Sequence, residues 1–313
     1  MSSLMLSVAV ETYNQEDTII QTLDSILQQA CDFDFEVVVG DDCSTDNTPK
    51  LLDEYARNNP RVRVIHNEKN LGAMKNYYNV VSNCRGKYFM DCAGDDYWLP
   101  GKIKTQIEFM EKNEAAGVCC GKAKVFKGEK FVQSIGNKHT SLDDIMNANT
   151  IVALTVCIRK ALLDQYILEV EPEKKNWLME DLPEWLWFSY KSKICFIDEF
   201  WGIYRENDSS VSHSLDFEKQ LRFGLNGIQI RNFFIEKYGL NYCLKEEALA
   251  GFDLCFNRLT NGFKGDYRNK IKTYYKQLKN KSRKDRIRYI IARSCLLMGV
   301  YKFVRNFKHK ISL

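Results

Sequence analysis

Along the first 126 residues, short apolar runs alternate with stretches in which apolar positions recur every three or four residues. Leu6–Val10, Phe35–Val39, Arg61–Ile65, Tyr88–Cys92 and Val118–Val125 have the length and the β-branched or aromatic content of strands. Between them lie Glu16–Gln29, with apolar residues at 19, 20, 23, 26 and 27, then Thr45–Arg57, Leu71–Val81 and Lys102–Lys112, all with helical spacing. Ser44 or Thr45 is placed to cap the second helix. Repeated strand–helix–strand units with short connections predict a parallel sheet covered by helices on both faces. Ligands of such sheets bind beyond the carboxyl ends of the strands.

After about residue 130 the pattern loosens. Ser141–Met146 reads as a short helix, Ile151–Ile158 and Ile194–Phe200 as strands, and Glu180–Tyr190 as a helix with an aromatic side at Trp185, Trp187 and Phe188. From Phe217 onward the signals are helical. With 313 residues and 45% hydrophobic content, the chain can bury a large core. No apolar run reaches the ~18 residues of a membrane span, and MSSLMLSVAV reads as the first core strand rather than as a signal peptide. Eleven cysteines without a CxxC pair fit reduced thiols in a cytosol better than a disulfide framework or a zinc site.

Polar residues gather at the predicted strand ends. The first strand ends in ETYN (Glu11–Asn14), the second in GDDCSTDNT (Gly40–Thr48) and the fourth in AGDDYW (Ala93–Trp98), while NEKNLGAMKN (Asn67–Asn76) opens the helix after the third. Taken singly, an Asp pair after a strand is a turn or a helix cap. Parallel strands put all these ends on one rim, and carboxylates converging there call for a hard divalent cation completed by phosphate oxygens.

SVAVETYNQEDTIIQTLDSILQQ, FEVVVGDDCSTDNT, NLGAMKN and GKYFMDCAGDDYWLPGKIKTQ resemble, in order and spacing, the N-terminal motifs of family 2 glycosyltransferases of the kind that build bacterial cell-surface polysaccharides. WLMEDLPEWLWFS (Trp177–Ser189) and GIYRENDSSVSHS (Gly202–Ser214) resemble two later segments of the same family. The resemblance implies the α/β fold called GT-A, a Rossmann-like, mainly parallel sheet flanked by helices. A catalytic domain would occupy 1–215, with a nucleotide-sugar half at 1–110 and an acceptor half at 111–215, followed by a helical region at 216–313. It also implies site roles. Glu11 and Tyr13 would line base and ribose, Asp41 with Asp42 would contact the base, and Asn70 to Lys75 would lie near the nucleotide. Asp95, with Asp96 beside it, would bind a Mn²⁺ or Mg²⁺ ion bridging the diphosphate, with His213 a further ligand. Arg205 would meet the phosphates, and Asp181 would act as general base. The implied reaction is inverting transfer from a nucleotide sugar, by family habit a uridine diphosphate sugar, to a saccharide or lipid-linked saccharide. Ala93 departs from the pattern, because the family often has an acid two residues before the metal-binding Asp. That departure keeps a catalytically silent nucleotide-sugar or saccharide-binding protein as the alternative. A sugar-phosphate nucleotidyltransferase would need a glycine-rich loop where ETYNQED stands, and a dinucleotide dehydrogenase would need GxGxxG there.

Charge adds one feature outside the resemblance. The net charge of +4 divides into +14 for residues 264–313 and −10 for residues 1–263. Arg286–Arg305 is amphipathic, with Ile287, Ile290, Ile291, Leu297, Met298, Tyr301 and Val304 on its apolar side. It reads as a helix lying on an anionic leaflet, which places a cytoplasmic protein at the inner face of the plasma membrane. The basic run accompanies no helix-turn-helix or RNP-like pattern, so nucleic acid is not the expected partner.

Overall fold

The computed structural model describes residues 4–206 and 216–311, with side chains through Val304. The chain forms two compact units, Met1–Asn207 and Asp208–Leu313. The first unit opens with β1 (Leu6–Thr12), α1 (Ile19–Leu27), β2 (Phe35–Asp41), α2 (Thr48–Asn58), β3 (Val62–His66), α3 (Ala73–Asn83) and β4 (Tyr88–Asp91). It continues with β5 (Tyr97–Trp98), α4 (Lys102–Lys112), β6 (Ala116–Lys127), β7 (Lys130–Ile135) and α5 (Leu142–Asn147). A 3-10 turn (Ala153–Thr155), β8 (Cys157–Arg159), α6 (Lys160–Val170), a second 3-10 turn (Pro172–Lys174), α7 (Asp181–Lys191) and β9 (Lys193–Arg205) complete it.

The strands form one sheet in the order β3-β2-β1-β4-β8-β6-β9-β5, with β7 paired to β6. β3, β2, β1 and β4 run parallel, as the repeated strand–helix pattern predicts. The other half is mixed: β8 lies antiparallel between β4 and β6, β6 and β9 are parallel, and β5 and β7 join antiparallel. The core follows from alternation. Leu6, Val8 and Val10 of β1 pack with Val37 and Val39 of β2, Tyr88 and Met90 of β4, and the inward side chains Ile19, Leu23 and Ile26 of α1.

Ile151–Ile158 is not one strand. The 3-10 turn splits it, because Thr155 Oγ1 donates to Val152 O at 2.7 Å and accepts from Gly121 N–H at 3.2 Å, offering the backbone a local alternative to the ladder. β7 and α6 escape the sequence pattern. Lys130–Gln133 is exposed, so it carries no buried alternation to read.

Between β4 and α4 the chain crosses the loop that holds Asp95 and Asp96, and α4 is fastened by its first residue. Lys102 is fully buried. Its Nζ donates to Gln106 Oε1 at 2.7 Å and Val156 O at 3.0 Å, and lies 4.3 Å from the Trp98 ring centroid. Burial pulls its pKa down to about 8.

The second unit contains α8 (Phe217–Tyr238), α9 (Ala248–Thr260), α10 (Tyr267–Gln277), α11 (Arg283–Arg293) and α12 (Cys295–Ile311). Phe252, Cys255 and Phe256 of α9 pack with Tyr267 and Ile271 of α10, and with Ala292 and Met298. The amphipathic stretch is two helices rather than one: Ser294 is extended (φ −109°, ψ 125°) and ends α11. Its apolar side also divides. Met298 is buried, and Ile291 and Tyr301 pack on the same cluster, whereas Ile287, Ile290, Leu296, Leu297, Val300, Phe303 and Val304 are exposed.

Lys102→Met keeps the bulk but leaves two buried acceptors without a donor. We expect a loss of roughly 2–4 kcal/mol, read as a lowered urea midpoint with an unchanged slope.

Candidate active site

In-register parallel pairing brings the carboxyl ends of β1, β2 and β4 together. The β1–β4 ladder continues past the strand ends, with Cys92 N–H donating to Ala9 O at 3.1 Å and Gly94 N–H to Glu11 O at 2.8 Å. Asp42 N–H donates to Thr12 O at 2.9 Å and closes the other side. The turn at Gly94–Asp96 is held from α1, where Thr22 Oγ1 donates to Gly94 O (2.9 Å) and Asp96 O (2.6 Å). Two non-glycine residues on this rim, Asn14 (φ 53°) and Cys43 (φ 61°), adopt the left-handed conformation, a strained state common near functional sites. They link the loops after β1 and β2: Asn14 N–H donates to Ser44 Oγ at 2.9 Å, and Thr45 N–H to Asn14 Oδ1 at 2.7 Å.

Each carboxylate expected at the rim has a distinct environment. Asp41 is buried. Its Oδ2 lies 3.1 Å from His66 Nδ1, and His66 Nε2 lies 3.0 Å from Asp53 Oδ1. Burial alone would lower the His66 pKa, but the two acids outweigh it and raise it. Asp42 holds the next loop: it accepts from Leu71 N–H (2.7 Å), Gly72 N–H (2.8 Å) and Asn67 Nδ2 (3.0 Å). This bonding gives Asp42 a direct structural duty, shaping the turn that carries Asn70 and Lys75, both exposed beside it. Asn76 braces the same region by donating to Gly40 O at 2.8 Å. A side chain at Gly40 would collide with Asn76 and Val80.

Asp95 and Asp96 divide their tasks. Asp96 is 4% exposed and its Oδ1 accepts the Arg205 backbone N–H at 2.8 Å. Burial, then the neighbouring Asp95, push its carboxyl well above the usual range. Asp95 is only partly buried. The Arg205 guanidinium donates to the Asp95 carbonyl oxygen and to Gln21 Oε1, and stacks over the Tyr97 ring at 4.6 Å. Arg205 therefore clamps the Asp95–Asp96 turn to α1. His213 lies outside the described residues.

The structure separates Glu11 from Tyr13, which is 46% exposed. Glu11 instead turns toward acids that sequence reasoning did not single out. Tyr77, Phe89, Asp91, Glu180, Asp181, Glu184 and Trp185 line one small pocket. Burial, then Asp91 and Glu180, raise the Glu11 carboxyl well above its ordinary value. Asp91 was legible as a lone charge in the apolar run YFMDC, and Glu184 as the residue one helical turn beyond Asp181. Glu184 is 1% exposed and accepts from Tyr77 Oη at 3.2 Å through Oε2, while its Oε1 has no donor. Asp181 begins α7, where the helix N-terminus favours its charge. Asn149 Nδ2 donates to Asp181 Oδ2 at 2.6 Å, and the Leu182 N–H to Oδ1 at 2.6 Å. These bonds orient a carboxylate that remains partly accessible. Among the described residues, no group of three or more His, Cys, Asp and Glu side chains is arranged to hold a metal ion by itself.

Burial first, then Asp181, push the Glu180 pKa up to about 8. A carboxyl raised in the folded state favours folding below its unfolded value and loses that contribution as pH rises through about 8. Glu180→Gln should therefore melt higher than the parent chain at pH 8.5, with the difference shrinking toward pH 5, as followed by thermal denaturation across pH.

The chain is 29% identical over 217 residues to an uncharacterized protein of Mycobacterium tuberculosis, a match covering 67% of this chain and 61% of that relative. It thus spans a little under two thirds of that relative's length. It is 28% identical over 213 residues to a Bacillus subtilis protein named as a teichuronic acid biosynthesis glycosyltransferase, TuaG, covering 66% of this chain and 81% of TuaG. The fold is similar to that of S. aureus TarS 1–349, solved in complex with UDP-GlcNAc, with a TM-score of 0.56 and 22% identity over 87% of this chain and 89% of that one. The model of the glycosyl transferase family 2 matches residues 7–168, just over half of the 313 residues. With the strand-end carboxylates and the acid at the start of α7 in place, the chain belongs to glycosyl transferase family 2.

Proposed function

We propose that this chain transfers a sugar from a nucleoside diphosphate to a hydroxyl of a saccharide or lipid-linked saccharide, with inversion at the anomeric carbon. The observation that carries the reading is the meeting of Asp91, at the end of a parallel strand, with Asp181, at the start of α7, around one pocket. The resemblance of the fold to TarS, solved with UDP-GlcNAc, supports a uridine diphosphate sugar as donor. TuaG, named for teichuronic acid synthesis, supports a cell-surface polysaccharide as product. In this reading Tyr13 would line base and ribose, Asp41 would contact the base, and the turn from Asn70 to Lys75 would adjoin the nucleotide.

Asp181 takes the proton from the acceptor hydroxyl as its oxygen bonds to the anomeric carbon. The carbon–oxygen bond to the diphosphate breaks and the leaving group keeps the electron pair. Attack opposite the leaving group inverts the centre, by the geometry that governs inverting glycosidases. Asn149 orients the base, and Arg205 keeps the Asp95 turn in place. The residues fit a divalent ion at Asp95. The partly exposed Asp95 carboxylate offers a hard oxygen donor, and Mg²⁺ or Mn²⁺ needs only one or two carboxylates when phosphate and water complete its shell. When bound, such an ion supplies charge neutralisation for the departing diphosphate.

Asp181→Asn should lower kcat for transfer from a UDP-sugar by about 10²–10⁴ with little change in UDP affinity. Chelation should abolish transfer and Mn²⁺ restore it, and Asp95→Asn should raise the Mn²⁺ concentration required. Transfer that survives Asp181→Asn, or that proceeds unchanged in chelator, removes the base or the metal from this scheme. A chain that binds the nucleotide sugar without transferring or hydrolysing it leaves the silent binding protein, which Ala93 favours, as the better reading.

The second unit supports attachment to an anionic membrane. On α12, the exposed Leu296, Leu297, Val300, Phe303 and Val304 recur at helical spacing and form one stripe, while Met298 faces the core. Arg286 and Arg293 are exposed on α11. The +14 charge of residues 264–313 complements an anionic headgroup layer. No helix among the described residues is long and apolar enough to cross a membrane. Liposomes containing phosphatidylglycerol should carry the full chain in flotation, and Leu296→Glu with Phe303→Glu should leave it in the soluble fraction. Equal flotation of both proteins removes the stripe from the interaction.

A further inference from the structure

Glu11 lies near the end of β1, on the face it shares with Ser7 and Ala9, a carboxylate among carboxylates. Its Oε1 and Asp91 Oδ1 are both buried without a hydrogen-bond donor. Two such groups can bond each other only by sharing a proton. Leaving a buried acceptor unmet costs stability, and a cluster of acids compounds the cost. Asp91 lines the small pocket, and orphaned acceptors there suit a ligand that brings donors of its own.

The backbone register says which place Glu11 fills. In the β1–β4 ladder Ala9 is in register with Asp91. The bonds Cys92 N–H to Ala9 O and Gly94 N–H to Glu11 O carry that register two residues further, which sets Glu11 beside Ala93. Residues in register on parallel strands point to the same face of a sheet. Gly94 keeps the two chains this close, since a Cβ there would lie 2.3 Å from Gln15 Oε1 and 2.9 Å from Thr12 Cβ. The acid missing at 93 is thus present one strand over, on the same face, and position 91 adds a second carboxyl to that face.

We propose that Glu11 is a donor-site carboxylate standing in for the acid absent at position 93, and that it accepts a hydroxyl of the transferred sugar. Sugar hydroxyls are the partner, because they supply the donors that Glu11 Oε1 and Asp91 Oδ1 lack. The placement rests on the nucleotide-sugar reading above and makes Glu11 a determinant of sugar binding rather than of nucleotide binding.

The test is a charge relocation read by binding. UDP-N-acetylglucosamine, UDP-glucose and GDP-mannose, with UDP and GDP as sugar-free controls, are titrated with Mn²⁺ against the full chain by calorimetry, and the tightest donor is carried forward. Glu11→Ala should weaken that nucleotide sugar roughly 10–100-fold and leave the matching diphosphate and the Mn²⁺ dependence unchanged. Glu11→Ala with Ala93→Glu should recover most of the loss. A pair no better than Glu11→Ala alone, or an equal weakening of UDP and UDP-sugar, overturns the proposal. Should the pair not fold, Glu11→Gln decides: an unchanged or raised melting temperature with weakened sugar-nucleotide binding supports it, and unaltered binding overturns it. Failure of the parent chain to bind any of the nucleotide sugars would sink the donor reading together with this one, whereas a parent that binds alongside an indifferent Glu11→Ala sinks this one alone.

Discussion

The constraint on which the site depends is the burial of like charge at the ends of parallel strands. β1, β2 and β4 stop at nearly the same level because their ladders are in register, and each delivers carboxyl groups there. Water would ordinarily solvate such groups, and their desolvation is costly. The fold meets the demand unevenly. Asp42 is satisfied by two backbone amides and Asn67, Asp41 by His66, and Asp96 by the Arg205 amide. Glu11, Asp91 and Glu184 each keep an oxygen without a donor. The satisfied acids shape loops. The unsatisfied ones gather near α7, and perturbed carboxyls of this kind concentrate at functional sites.

Holding these groups in place requires a rigid frame, and most of it is unremarkable packing. α1 ties the Gly94–Asp96 turn through Thr22, α3 props β2 through Asn76, and Lys102 anchors α4 behind the same turn. The left-handed Asn14 and Cys43 persist because the bonds of Asn14 to Ser44 and Thr45 join the two loops. A site built on strand ends and helix starts is more exact than one built on free loops. That frame lets two carboxylates from remote parts of the sequence, Asp91 and Asp181, share one pocket.

The second unit obeys a different logic. Ser282 and Asp285 form a capping box that starts α11, and Ser294 ends it, so the amphipathic stretch becomes two short helices. Breaking the helix rotates its residues: Met298 and Ala292 turn inward beside Phe252 and Phe256, and Leu296, Val300 and Phe303 turn outward. A long amphipathic helix would have shown one mixed face. The break sorts the apolar residues into a packed set and an exposed stripe, and the exposed stripe is the one that accompanies the basic charge.

Local pattern by itself determined much of the chain. Period-2 and period-3.6 spacing located β1 to β4 and α1 to α4, since a buried face imposes its repeat on neighbouring residues. Ordered motifs identified the family, and the ETYN, GDD and AGDD strand ends were visible as polar breaks after apolar runs. Where a strand had no buried face, as at Lys130–Ile135, or where a threonine hydroxyl competed with the ladder, as at Thr155, the local signal was absent or misleading. Tertiary structure alone decided which acids meet. Asp41 and Asp42 are adjacent in sequence yet serve different loops, while Glu11, Asp91 and Glu180 are far apart in sequence and adjoin in space. The register that places Glu11 beside Ala93 arises from hydrogen bonds between strands some eighty residues apart. Such pairings leave no trace in local periodicity, because spacing records which face a residue takes on its own element and says nothing about which element lies across from it.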